Sequence, residues 1–308
     1  MSLNKKIKKF KRKLRIIMNR PGEKRGSQSI DISGIKTICI VLGPYRNLTT
    51  LTASIISLHP NCQVLNHGLD RIKGDKSLNF LTNYSSETLA NFLKYAIYIS
   101  GSGKRGNYGG SITFSHAYAE NNQMGESYRE LYGDQLVKDD IQSLFWKESL
   151  YTTNILQQHP DKFQQILKEN PTIKFILPVR NTLDCAESNI KTGMATIYPE
   201  IKDKTNRKKI IQRIMQDYRW FFELKANFPD RFFYYFQHEM NRERFIDLAK
   251  FLNISADETW LEYCLKNYQV RSKYDHSKEI REFFSQTVCE IFADFPAEKE
   301  ELLRFTGE

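Results

Sequence analysis

One stretch, IKTICIVLGPYRNLTTLTASIISLHP (residues 35–60), constrains this chain more than any other. Ile38, Cys39, Ile40, Val41 and Leu42 form a short, unbroken apolar run rich in β-branched residues, the pattern of a strand buried on both faces. Gly43-Pro44 marks a turn. Arg46-Asn47-Leu48-Thr49-Thr50 comes next, and Leu51, Ile55, Ile56 and Leu58 keep helical spacing as far as His59-Pro60. A strand, a tight turn and a hydroxyl-rich first helical turn aim free backbone N–H groups and a positive helix end at one spot, which suits a phosphate or sulfate. The Gly-Lys-Ser/Thr entry of ATP-binding loops is missing. Arg46 supplies the positive charge instead, three residues before Thr49.

A second strong strand pattern, TIKFILPVR (residues 172–180), is apolar from Ile173 to Val179 apart from Lys174 and ends on Arg180. NTLDCAESNIK then reads as a helix with Thr182 as N-cap and Asp184 in its first turn. Arg180 falls at the carboxyl edge of a strand and Ser188 about one and a half turns into the helix. Both can reach one anion in the crevice where parallel sheets bind ligands. Weaker signals fill the rest. Residues 63–65 fit a short strand that ends near His67. Residues 87–99, 139–157, 161–168 and 204–227 read as helices, 231–240 as a third strand, and 241–254 as an amphipathic helix. The Gly-rich segment 100–118 lacks the Ser/Thr of a nucleotide loop after Lys104 and reads as an acceptor-side loop or lid leading to His116. Alternating strands and helices predict an α/β fold with a central parallel sheet flanked by helices.

The segment GPYRNLTTLTASIISLHP resembles the 5′-phosphosulfate loop of sulfotransferases that use 3′-phosphoadenosine 5′-phosphosulfate (PAPS), roughly Lys/Arg-Ser-Gly-Thr-Thr, a helix, then His-Pro. Arg46, Thr49, Thr50, His59 and Pro60 match. Asn47 stands for Ser and Leu48 for Gly, and Leu resists the positive φ that Gly allows there. KFILPVRNTLDCAESNI is similar to the 3′-phosphate motif of the same family, with Arg180 and Ser188 at its spacing and Thr182 where Pro is usual. The resemblance covers about residues 35–300. It implies a P-loop-like sulfotransferase architecture and PAPS as donor, with no metal. It also implies a 5′-phosphate site at Arg46, Asn47, Leu48, Thr49 and Thr50, and a 3′-phosphate site at Arg180 and Ser188, joined by Arg271 and Lys273 of a late basic loop. Lys147 in WKES matches the lysine that contacts the bridging oxygen or sulfuryl group. His67 takes the place of a Glu that acts as general base in some branches of the family, and an imidazole near neutral pKa suits that task; His116 is the reserve. The acceptor is a hydroxyl or amine, with carbohydrate, lipid and small metabolites all open.

Composition bounds the alternatives. Residues 1–25 hold eleven Lys and Arg against one acid, Glu23, so the formal charge of +10 belongs to that segment and residues 26–308 balance at 35 to 35. A nucleic-acid partner would call for a basic face on the body. Leu3, Ile7, Phe10, Leu14 and Ile17 form one helical stripe among cations, so residues 3–17 suit an anionic membrane surface. Pro21-Gly22 is expected to stop that helix. This divides the chain into a basic tail and linker (1–27) and one domain (28–308). Five scattered cysteines and no 18-residue apolar run predict reduced thiols and a cytoplasmic protein, peripheral at most to a membrane. Two rival functions remain at this stage: a P-loop-like kinase or hydrolase, and a nucleotide-binding protein that has lost turnover.

Overall fold

The computed structural model describes residues 3–104, 109–119, 121–198, 200–271 and 273–307. A six-stranded sheet runs through its centre: β1 (Thr37–Val41), β2 (Cys62–Asn66), β3 (Gly110–Ser111), β4 (Ser143–Lys147), β5 (Ile173–Val179) and β6 (Phe232–Phe236), in the order β3-β2-β4-β1-β5-β6. Every pair is parallel except the two-residue β3, which lies antiparallel on the edge of β2. The helices are α1 (Leu3–Ser27), α2 (Thr49–Ser57), α3 (Leu69–Ile72), α4 (Ser86–Ser100), α5 (Gln123–Tyr132), α6 (Leu150–Gln158), α7 (Pro160–Glu169), α8 (Thr182–Lys191), α9 (Arg207–Asn227), α10 (Arg242–Leu252), α11 (Glu258–Asn267), α12 (Lys278–Ile291) and α13 (Pro296–Leu303).

Strand alternation explains why both faces are covered. In β1, Ile38 and Ile40 point to one face and join a core with side chains of α4, α6, α7, α8, α9 and α12. Cys39 and Val41 point to the other and pack with α2, α5, α10 and α11. A strand sandwiched between two helix layers needs apolar residues at every position, which is why β1 reads as a continuous run. The five parallel strands end at one edge of the sheet. Arg46, His67, Lys147 and Arg180 all lie at or just beyond those ends.

Three sequence expectations fail. Residues 139–157 are not one helix: Ser143–Lys147 is the strand β4 between β1 and β2, followed by α6. Five buried residues, SLFWK, are too few for periodicity to separate a strand from a helical turn. The helix of residues 3–17 does not stop at Pro21-Gly22 but continues to Ser27 with Pro21 inside it. Side-chain contacts hold that turn to the body: the Glu23 carboxylate accepts from the Tyr95 hydroxyl at 2.5 Å and pairs with Arg71 at 3.2 Å. The cap of α8 is Asn181, not Thr182; its side chain accepts from the Leu183 and Asp184 N–H groups.

Asn253 adopts the left-handed conformation at the end of α10 (φ 55°), which Asn tolerates better than other side chains. His59 closes α2 by bonding the Ser255 carbonyl at 2.9 Å and stacking edge-on against Trp260. All five cysteines are free thiols. Among the described residues no helix is long and apolar enough to cross a membrane, and no cluster of three or more His, Cys, Asp or Glu is placed to hold a metal.

Candidate active site

The loop after β1 is built by residues that bond inward. The buried Asn47 side chain donates to the Pro178 carbonyl and accepts from the Arg180 N–H at 3.0 Å and the Tyr218 hydroxyl at 2.7 Å. Whatever Asn47 offers a bound anion therefore comes from its backbone. Asn189 holds the Tyr45 carbonyl at 2.8 Å, and Gly43 N–H donates to Thr153 Oγ1 at 2.9 Å. Gly43 sits at φ 96°, a conformation that glycine adopts at no steric cost. Deleting the Asn47 amide would leave three buried polar partners exposed to no substitute. Asn47→Ala is expected to lower stability by about 3 kcal/mol, read as a shift of the urea midpoint at unchanged slope.

Leu48 is the position where positive φ matters. It adopts φ 58° at the N-cap of α2 with no side-chain cap, a strain of about 1 kcal/mol that the surrounding bonds impose. The uncapped helix leaves the N–H groups of Thr49, Thr50 and Leu51 without intrahelical acceptors. Thr49 is buried and Thr50 half-buried. Four of the six non-glycine residues with positive φ among the described residues, Arg46, Leu48, His67 and Ser149, flank this crevice. Such concentrated strain marks functional sites.

The two sequence blocks meet. Arg46 Nε donates to Ser188 Oγ at 2.9 Å, and Arg180 Nη1 donates to the Arg46 carbonyl at 3.1 Å. Arg180 is buried, with Asp184 4.0 Å away. Asp184 also ties down the late basic loop, accepting from the Tyr274 N–H and approaching His276 Nε2, both at 3.0 Å. Arg271 and Lys273 are exposed on that loop. Its anchors, Tyr274 and His276, carry no sequence signal of their own.

On the other side of β1 the strand ends of β2 and β4 bring three groups together. Asn66 is in register with Lys147, and the His67 N–H donates to the Lys147 carbonyl at 2.9 Å. The His67 ring lies between Lys147 Nζ, 3.1 Å from Nε2, and Glu148 Oε1, 3.5 Å from Nδ1. Glu148 is buried and its second oxygen accepts from the Leu69 N–H at 3.1 Å. An ammonium donating to Nε2 leaves the ring proton on Nδ1, toward the carboxylate. Burial pulls the Lys147 pKa down to about 8; Glu148 opposes the shift and Arg46 adds to it. His116 reaches solvent at the outer side, yet partial desolvation and then the cations Arg46 and Lys147 hold its pKa below the ordinary imidazole value. Sequence reasoning passed over Glu148 as a participant. Its only signal is adjacency to Lys147 at a strand end.

These features define an α/β protein with a crevice rich in cationic side chains at the carboxyl edge of a parallel sheet, and a lysine–histidine–glutamate cluster on one wall. No protein-family model matches the chain, and no curated protein matches it either. Among solved structures it is similar to the sulfotransferase domain of the olefin synthase of Synechococcus PCC 7002, with 16% identity over 77% of this chain and 80% of that one at a TM-score of 0.40. A second is a sulfotransferase from Mycobacterium avium, with 13% identity over 86% of this chain and 77% of that one at a TM-score of 0.43.

Proposed function

We propose that the protein transfers a sulfuryl group from PAPS to a hydroxyl of its acceptor. The observation that carries this reading is the Arg46–Ser188 bond, which joins the two phosphate-type motifs across 142 residues at the edge where the parallel strands end. The crevice fits the donor by its own chemistry. An uncapped helix N-terminus, a buried Arg180 and a buried Lys147 gather positive charge on both sides of β1. Arg46, the N–H groups of Thr49 and Thr50 and their hydroxyls would hold the 5′-phosphate. Arg180 and Ser188 would hold the 3′-phosphate, with Arg271 and Lys273 alongside.

The donor supplies the activated sulfuryl group. A bond forms from the acceptor oxygen to sulfur, and the bond from sulfur to the phosphate oxygen breaks. Adenosine 3′,5′-bisphosphate leaves with the electron pair. Lys147 and Arg46 offset the charge that develops on it. His67 takes the acceptor proton at Nε2. That nitrogen is engaged by Lys147 in the structure. Drawing the ammonium toward the leaving oxygen frees the lone pair, while Glu148 on Nδ1 stabilises the imidazolium.

The test is transfer of sulfur-35 from labelled PAPS to a panel of sugars, lipids and small hydroxylated metabolites. Labelled product formed together with one equivalent of adenosine 3′,5′-bisphosphate is expected. Phosphate release from ATP with magnesium, and no transfer of label to any acceptor, would overturn the reading in favour of a kinase or hydrolase.

A further inference from the structure

Helix α1 is held to the protein along one side and bare along the other. The held side carries Arg12, Ile16, Arg20, Glu23 and Lys24. Arg12 pairs with Asp70, Arg20 reaches the Gly74 carbonyl at 3.4 Å, and Lys24 Nζ bonds Asp75 at 3.2 Å and Ser77 Oγ at 2.7 Å. Glu23 is locked between Tyr95 and Arg71. At about 100° per residue, Ile7, Phe10, Leu14 and Ile17 fall on the opposite side. They are exposed there, Phe10 to 63% and Ile17 to 61%, and Met18 next to them to 76%. Eight large hydrophobic side chains are exposed among the described residues, and five of them are on this one helix. Their concentration in a single stripe needs a partner.

The charge around the stripe selects which partner. Lys11 and Arg25 border it and are exposed. The first 25 residues carry the whole excess charge of the chain. A second copy of the helix, pairing stripe against stripe, would press two cationic rims together. An anionic bilayer surface instead offers acyl chains to the stripe and lipid phosphates and carboxylates to the rim. We propose that α1 docks the protein on anionic membrane surfaces with Ile7, Phe10, Leu14, Ile17 and Met18 facing the lipid. The docking is rigid rather than tethered, because α1 bonds Asp70 and Arg71 of α3, which begins two residues after His67. Membrane contact therefore fixes the orientation of the His67 side of the crevice.

Co-sedimentation of the full chain with phosphatidylcholine vesicles containing about a quarter phosphatidylserine, at about 50 mM salt, tests this. Binding to these vesicles is expected, with release by about 0.5 M salt and no binding to pure phosphatidylcholine. Phe10→Ser with Ile17→Ser should weaken binding at least about tenfold, as should Lys11→Glu with Arg25→Glu, neither pair shifting the melting temperature because all four side chains are exposed. Wild-type protein left in the supernatant would overturn the proposal. So would a serine pair that binds as well as wild type. A wild-type dimer in light scattering that the serine pair splits, without vesicle binding, would assign the stripe to a second copy and equally overturn it.

Discussion

His67→Asn is expected to lower kcat for sulfuryl transfer by about 10²–10⁴ while the protein keeps its fold and its affinity for adenosine 3′,5′-bisphosphate. Asparagine is the informative replacement because His67 sits at φ 61°, a conformation Asn tolerates and most side chains do not. The variant therefore removes a proton acceptor without adding backbone strain. Its amide takes the place of Nδ1 and can still meet Glu148, while the Nε2 position that faces Lys147 is removed. A parallel loss of melting temperature and activity would make His67 a structural residue that seats Lys147. Retention of full activity would move the base to His116, the other imidazole near Arg46 and Lys147.

Lys147→Met is expected to cost about 10²–10³ in kcat, the usual loss when a charge that offsets the leaving group is removed. The same change should stabilise the protein by about 1–3 kcal/mol below pH 8, because an ammonium buried at the end of β4 is replaced by an apolar chain of similar length. The pH dependence identifies the cause. Burial lowers the folded pKa to about 8 against 10.5 for a free lysine. Between those values the unfolded chain binds more protons than the folded one, so the wild type gains stability as pH rises. The advantage of the Met variant should thus be complete below about pH 8 and fade toward pH 10.5. Wild-type kcat should fall over the same range as the cation is lost. A stability gap that ignores pH would show that Lys147 is not buried as a charge.

The sequence makes the sheet centre and the anion loops legible for a physical reason. β1 and β5 are covered on both faces and are apolar apart from Thr37 and Lys174; a Gly-Pro turn leads from β1 to Arg46, and Arg180 follows β5 directly. The spacing placed Arg180 and Ser188 on a strand end and the helix after it, able to reach one anion; the bond from Arg46 to Ser188 links two blocks 142 residues apart and carried no sequence signal. β4 was not legible. Ser143–Lys147 is as short as a single helical turn and a half, and a real helix starts three residues later, so the apolar periodicity merges. Without β4, the partnership of Lys147 and Glu148 with His67 could not be placed. It exists only because β2 and β4 end side by side in register. The end of α1 was misjudged for the opposite reason. Pro21 and Gly22 are local breakers, but Glu23, Lys24 and Ser27 are bonded or buried against the body, and tertiary contact overrides the local preference. Removing residues 1–25 would thus strip Tyr95 and Arg71 of their carboxylate partner.

The most direct test of the central claim, that both phosphate-type loops serve one 3′-phosphorylated adenine nucleotide, is a thermal-shift titration comparing adenosine 3′,5′-bisphosphate with ATP, in wild type and in Arg180→Ala. At about 100 times its Kd the bisphosphate should add about 2.7 kcal/mol of stability to wild type, a rise of several degrees, whereas ATP adds much less. Arg180→Ala should lose that gain, since the 3′-phosphate would have no buried guanidinium to meet. Equal stabilisation by ATP and the bisphosphate, or a full shift in Arg180→Ala, would contradict the assignment.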